Sequence, residues 1–244
     1  MEVMGQPADE LAKAAAQQLW EDLSWYWPAF GGNGIGESNA VAALIRVLQK
    51  RSICEDIDRH PENSRFSFQA YTEVPSTPLL CGKDQGGPTA THRRLDLVVT
   101  WGCNENLEGM LLVEAKRLHD TSTADSLIRD IHRINEFSFI EENNHGAGVF
   151  EKLDRNYGLV VALTCDDAVA SWWGHHFDLD KKDSPARIPD GKRAASWARL
   201  GDALSNLEGS IGGVEEFDLS EIFNKCTGYE YFLYAFFPRP LCAQ

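Results

Sequence analysis

Leu95-Asp96-Leu97-Val98-Val99-Thr100-Trp101 and Met110-Leu111-Leu112-Val113-Glu114-Ala115-Lys116 decide how this chain is read. Both stretches are apolar enough to lie inside a sheet, yet each carries ionisable groups in its apolar run. Gly102-Cys103-Asn104-Glu105-Asn106 between them is a polar turn, so the two are expected to pair as a hairpin. Charged groups inside buried strands are costly unless paired or metal-bound. Three of them in one hairpin point to a site.

Strand geometry sharpens the expectation. Side chains alternate faces, which sends Glu114 and Lys116 one way and Ala115 the other. A hairpin symmetric about Glu105 sets position 96 opposite position 114. Directly opposed residues have Cβ atoms about 4.5–5.5 Å apart. Two carboxylates at that distance repel unless a cation lies between them, and a hard divalent ion prefers such oxygen ligands.

Outward from the hairpin, the chain reads as a mixed α/β domain around one sheet. Residues 8 to 27 have helical spacing in Leu11, Ala15, Leu19 and Leu23, with Pro28 as the stop. The aromatic stretch from Trp25 to Phe30 reads as core or subunit interface. Gly31 to Gly36 lacks the Lys-Ser/Thr of a phosphate loop and reads as a turn. A second helix is predicted from Glu37 or Ser38 to Arg51, then a polar loop over Asp56–Ser64 and a strand over Arg65–Val74. Pro75–Thr91 reads as a long loop. After the hairpin, Ser122 and Asp125 resemble a capping box. The helix they open buries Leu127, Ile128, Ile131 and Ile134 and leaves Arg129, His132 and Arg133 outside. Tyr157–Thr164 is a wholly apolar strand of the kind buried on both faces. A short helix over Asp166–Phe177, a charged insertion over Asp178–Arg193, a helix over Ala194–Leu207 and a last strand over Tyr229–Phe237 complete the order.

Bulk properties narrow the class. A chain of 244 residues can form one sizeable domain. No run approaches the ~18 apolar residues of a membrane span, and Met1-Glu2-Val3-Met4 lacks a signal core, so a cytoplasmic protein without a membrane partner is expected. The six cysteines show neither CxxC pairing nor zinc spacing and read as reduced thiols. The net charge of −14 runs against nucleic-acid binding. Basic residues do cluster, at His92-Arg93-Arg94, at Lys116-Arg117-Leu118-His119, at Arg129, His132 and Arg133, and at Arg187, Lys192 and Arg193.

An acid on one strand, an acid-x-lysine on the next and a helix behind them with basic residues is similar to the pattern of the PD-(D/E)xK superfamily, the restriction-endonuclease-like nucleases. Here Asp96 matches the first acid, Glu114-Ala115-Lys116 the triplet, and the helix with Arg129 and Arg133 the following element. Leu95 stands where the eponymous proline often does, a position that varies widely in the superfamily. The resemblance runs from Glu37 to Thr164. It implies a restriction-endonuclease-like mixed central sheet flanked by helices, with three segments in one domain: an N-terminal helical segment and turn (1–36), a catalytic core (37–164), and C-terminal helices and strand (165–244).

The resemblance also implies Mg²⁺- or Mn²⁺-dependent hydrolysis of phosphodiesters, DNA before RNA, in restriction, repair or anti-phage defence. Asp96, Glu114 and the Ala115 carbonyl would be metal ligands and Lys116 the catalytic lysine. Glu37, on an early helix, would be the further acid, with Glu73 as its competitor. Arg94, Arg129 and Arg133 would contact phosphate. The acidity of the chain adds the expectation of a protein partner or homo-oligomer that brings in positive surface. The rival reading is a non-catalytic, nuclease-like module that binds a protein or senses a ligand. His175-His176 reads as a packed or surface pair, Asp166-Asp167 as a helix cap, and Asp178-Leu179-Asp180 lacks the Gly and Glu of a calcium loop.

Overall fold

The computed structural model describes residues 1–25, 35–59, 66–76, 93–103, 106–137, 153–178, 187–189, 194–221 and 228–239. Their order is β1 (Glu2–Val3), β2 (Gln6–Pro7), α1 (Ala8–Trp25), α2 (Glu37–Arg59), β3 (Phe66–Ser76), β4 (Arg93–Cys103), β5 (Asn106–Arg117), α3 (Thr121–Glu136), β6 (Arg155–Thr164), α4 (Asp167–Phe177), α5 (Ala194–Ser205), β7 (Ile211–Asp218) and β8 (Tyr229–Pro238). Strands β3 to β8 make one mixed six-stranded sheet in the order β3-β4-β5-β6-β8-β7. The expected mixed α/β class holds, and strands from both 37–164 and 165–244 share this sheet.

The hairpin sits in the sheet as the alternation of its residues requires. Leu97 faces Val113, Val99 faces Leu111 and Trp101 faces Gly109, which is the register that symmetry about Glu105 predicts. Past Trp101 the register shifts, and Gly102 faces Leu107; Glu108 is the extra residue of a bulge. β5 then runs parallel to β6. A parallel pair needs a crossover, and α3 lies in that connection.

The sheet is buried on both faces. Leu97, Val99, Leu111, Val113, Val161 and Phe236 pack with Leu19, Leu44 and Leu48 of α1 and α2. Val98, Leu112, Val160 and Leu233 pack with Leu127 and Ile131 of α3, Trp173 of α4 and Trp197 of α5. Helices thus cover both faces, and the central strands read as continuous apolar runs for that reason.

Several sequence expectations need correction. α2 runs through Arg59 rather than ending near Arg51; the polar stretch after Arg51 contains no helix breaker before Pro61, and polarity alone does not end a helix. The capping box of α3 is Asp120 with Thr123, not Ser122 with Asp125: Asp120 Oδ1 accepts the Thr123 N–H at 2.8 Å and the Thr123 hydroxyl accepts the Asp120 N–H at 3.0 Å. Asp125 instead accepts from Arg199 of α5. Asp166 caps α4 as expected, accepting from the Ala168 N–H at 3.0 Å.

β7 and the small β1–β2 hairpin are absent from the sequence reading. β7 was hidden by Gly212-Gly213, which are close-approach positions: a Cβ on Gly212 would stand 2.6 Å from the Tyr234 carbonyl oxygen and one on Gly213 2.6 Å from the Tyr234 hydroxyl. The β1–β2 turn uses left-handed backbone at both Met4 and Gly5, the geometry of a tight two-residue hairpin. Trp27, Pro28, the aromatic stretch after Trp25, most of the Gly-rich turn, the bulk of the loop before β4 and most of 178–193 lie outside the described residues.

The hairpin has close-approach glycines at Gly102 and Gly109. A Cβ on Gly109 would stand 2.1 Å from the Trp101 ring, and that ring is buried. We expect Gly109→Ala to cost about 1–3 kcal/mol through overpacking. Chemical unfolding of both proteins checks this; an unchanged midpoint would show that the ring can move aside.

Candidate functional site

At Asp96 the strand β4 breaks its own alternation. Leu95 packs on the α3 face and Leu97 on the α2 face, although residues two apart in a regular strand share a face. One ladder is interrupted there and the other ends. The β3–β4 register pairs Thr72 with Leu97 and Val74 with Leu95 but skips the position between, and the intervening residue, Glu73, has φ 54°. On the other side the β4–β5 ladder ends at Leu97 and Val113. The Asp96 carboxylate takes the place of the missing backbone partner, its Oδ2 accepting the Ala115 N–H at 2.7 Å.

Glu114 enters from β5 and points toward α3. It is 1 % exposed. Arg133 of α3 donates to its Oε1 and donates also to the Arg94 carbonyl at 3.0 Å and to Asp130 Oδ1 at 2.8 Å. Arg133 is therefore turned inward, where the helical pattern had placed it outside. Asp96 stands close enough for its charge to act on the Glu114 carboxyl. Burial first, and then the neighbouring Asp96 and Asp130, push the Glu114 carboxyl up to about 9; the shared Arg133 guanidinium opposes this without cancelling it. Burial likewise raises Asp96 and Asp130. Burial and the neighbouring acids thus favour the neutral form of Glu114.

Lys116 stands one pleat beyond Glu114 on the same face. Its Nζ lies 3.5 Å from Asp130 Oδ2 and 3.9 Å from Glu37 Oε2. Burial acts to lower its pKa, but Asp130, Glu37, Asp96 and Glu114 together outweigh burial and raise it. Glu37, the first residue of α2, accepts the Arg117 N–H on its other oxygen at 2.8 Å. The Arg117 side chain points to the opposite face, where it pairs with buried Glu230 of β8 and donates to the Ile35 carbonyl at 3.2 Å. Together these contacts dock the start of α2 onto the end of β5.

Glu37, Asp96, Glu114, Ala115 and Lys116 thus come together where β4 begins and β5 ends. Glu73, Glu37 and Asp96 line one cavity of about 720 Å³ whose wall is Val41, Ala42 and Ile45 of α2. Arg94 and Arg129 are exposed at the start of β4 and on α3. Among the described residues, no three His, Cys, Asp or Glu side chains converge as a ready cation cage.

Sequence reasoning missed Asp130, Arg117 and Glu230. Each had a signal. Glu230 is a charge inside the apolar run that forms β8, the same anomaly that singled out Glu114. Asp130 lies on the inward stripe of α3, between Leu127 and Ile134, where a carboxylate needs a partner. His176 is half-buried edge-on against Trp172, the packed histidine that was expected. Cys103 and Cys165 stand outside any disulfide.

In comparisons with known proteins, no family model matches the chain, and no curated protein or solved structure matches it.

The state of Glu114 gives a pH prediction. Its folded carboxyl titrates at about 9 against an ordinary 4.5, so the folded chain holds that proton more tightly than the unfolded one. The contribution to stability is complete below about pH 4.5, shrinks as the pH rises, and is gone above about 9. The slope is at most about 1.4 kcal/mol per pH unit. Unfolding by denaturant between pH 5 and 8 is expected to show stability falling with pH, and Glu114→Gln to fall less steeply, because Asp96 and Asp130 still titrate in it. Parallel slopes would mean that Glu114 is ionised in the fold.

Proposed function

We propose that this chain is a Mg²⁺- or Mn²⁺-dependent nuclease that hydrolyses phosphodiesters in DNA, built on a restriction-endonuclease-like fold. One observation carries the reading: the Asp96 carboxylate is held on the Ala115 N–H at 2.7 Å, in the middle of the Glu114-Ala115-Lys116 triplet, at the ends of two paired strands. The order of the elements supports it. An early helix brings Glu37, the next strands bring Asp96 and then Glu114-Ala115-Lys116, and the helix behind brings Arg133, all to one end of the sheet.

The donor set fits a hard cation. Two neighbouring carboxyls repel when both ionise, and a divalent ion with oxygen preference relieves that repulsion. Asp96 and Glu114 would hold the ion, with the Ala115 carbonyl as the third donor. Such an ion supplies polarisation of a phosphoryl oxygen and an acidified water. The protein's own groups do the rest. Lys116, kept as an ammonium by the acids around it, faces negative charge as it develops on phosphate rather than accepting a proton. Glu37 ties the amine to α2. Exposed Arg94 and Arg129 flank the site and would steer the phosphate backbone. The chain's charge of −14 favours action in an assembly, with a protein partner or further copies supplying positive surface.

A second reading rests on Arg133. Its guanidinium occupies Glu114 in the structure, as it would in a non-catalytic module that keeps the acid as a structural ion pair. Calorimetry with Mn²⁺ separates the two: the nuclease reading expects binding that Asp96→Asn removes, the module none. Cleavage of DNA with Mg²⁺ or Mn²⁺ is expected for the wild type and to fall by about 10²-fold or more in Lys116→Ala. Equal cleavage by both proteins would sink the assignment.

A further inference from the structure

The amine of Lys116 ends a flexible four-carbon stem and needs an anchor if it is to act from one place. Two acids are within ion-pair range. Glu37 lies 3.9 Å away and its side chain is 41 % exposed. Asp130 lies 3.5 Å away and its side chain is 2 % exposed. The two differ in rigidity as well as burial. Asp130 sits in the middle of α3, and its Oδ1 is fixed by Arg133 at 2.8 Å. Its Oδ2 is buried with no hydrogen-bond donor closer than this amine. A buried carboxylate oxygen without a donor is costly, and the Lys116 ammonium is the cation paired with it.

We infer that Asp130 is the positioning residue of the site: it holds the Lys116 ammonium beside Glu114, and Arg133 holds Asp130. The inference rests on the nuclease reading for its catalytic consequence, but not for the anchoring itself. α3 reaches β5 through two contacts three residues apart, Asp130 to Lys116 and Arg133 to Glu114. A shift of this helix therefore moves the acid and the amine of the triplet together. Glu37, already engaged by the Arg117 N–H, is the lesser tether.

The test reads the amine directly. In metal-free protein with ¹⁵N-labelled lysine, Lys116 is expected to give an ammonium signal protected from exchange, assigned by its loss in Lys116→Arg. The signal should disappear in Asp130→Asn, return at least in part in Asp130→Glu, and persist in Glu37→Gln. In the cleavage assay, Asp130→Asn is expected to lower kcat by about 10²-fold with little change in KM, the scale of a misplaced catalytic group, and Asp130→Glu to recover part of it. A Lys116 signal unchanged in Asp130→Asn overturns the proposal. So does a signal lost in Glu37→Gln, a result that stands even if Asp130→Asn does not fold. If the wild type cuts no nucleic acid while the signals behave as expected, the nuclease reading fails and the anchoring stands.

Discussion

Glu114 is buried beside a second acid, and that constraint organises the structure around it. An ionised carboxylate in such a place is penalised by several kcal/mol unless charge and hydrogen bonds compensate. The fold compensates in three ways. The carboxyl is pushed toward its neutral form, Arg133 reaches in from α3, and the neighbouring Asp96 is satisfied by the Ala115 N–H. Each of these requires a deformation or a docking elsewhere. β4 kinks at Asp96, Glu73 takes a left-handed backbone, and α3 must lie close enough for Arg133 and Asp130 to reach β5. Strain of this kind persists only where the surroundings over-determine it, and its concentration at one pair of acids separates this place from the regular remainder of the sheet.

How much of this the sequence made legible follows from what alternation can and cannot encode. The hairpin register was legible because a turn between two apolar runs leaves one symmetric pairing, and Leu97 does face Val113. The two-faced burial of β5 and β6 was legible in their unbroken apolar runs. The kink at Asp96 was not, since it comes from a side chain replacing a backbone partner on a neighbouring strand. The end of α2 was misread because polar residues continue a helix as readily as they form a loop. β7 was missed because Gly212-Gly213 spoils a strand pattern for a reason that only Tyr234 explains. Arg133 was misplaced because helical periodicity assigns it to the rim of the apolar stripe, and a long side chain at a rim can turn either way.

The same cluster divides what is local from what is long-range. Asp130 and Arg133 are three residues apart on one helix and meet each other by helical geometry alone. Their targets, Glu114 and Lys116, are two apart on one strand and share a face by strand geometry alone. Matching a helix's spacing of three to a strand's spacing of two is what brings four ionisable groups into one network. No single-segment pattern contains that match. It arises only when α3 crosses from β5 to β6, and it explains why the acid-x-lysine triplet was visible in sequence while its partners were not.

The acidity of the chain takes on a different meaning once the basic residues are placed. Four basic clusters stood out in sequence, three of them near the site, and they suggested a phosphate-binding surface. In the fold Arg117 is paired with Glu230, Arg133 with Glu114 and Asp130, and Lys116 with Asp130 and Glu37. Farther off, Arg46 is paired with Asp22 and Arg199 with Asp125. These cations neutralise the protein's own acids. A cation already compensated by a neighbouring carboxylate releases fewer counterions from DNA than its formal charge suggests. What remains exposed beside the site, Arg94 and Arg129, is a small positive edge on a chain of charge −14. On the nuclease reading, local geometry and global charge would therefore act at different steps: the site would position a phosphate that has arrived, while the charge as a whole would oppose its arrival. If the chain is the nuclease proposed above, it would need positive surface from outside the chain, and its activity would be set by assembly rather than by encounter with nucleic acid.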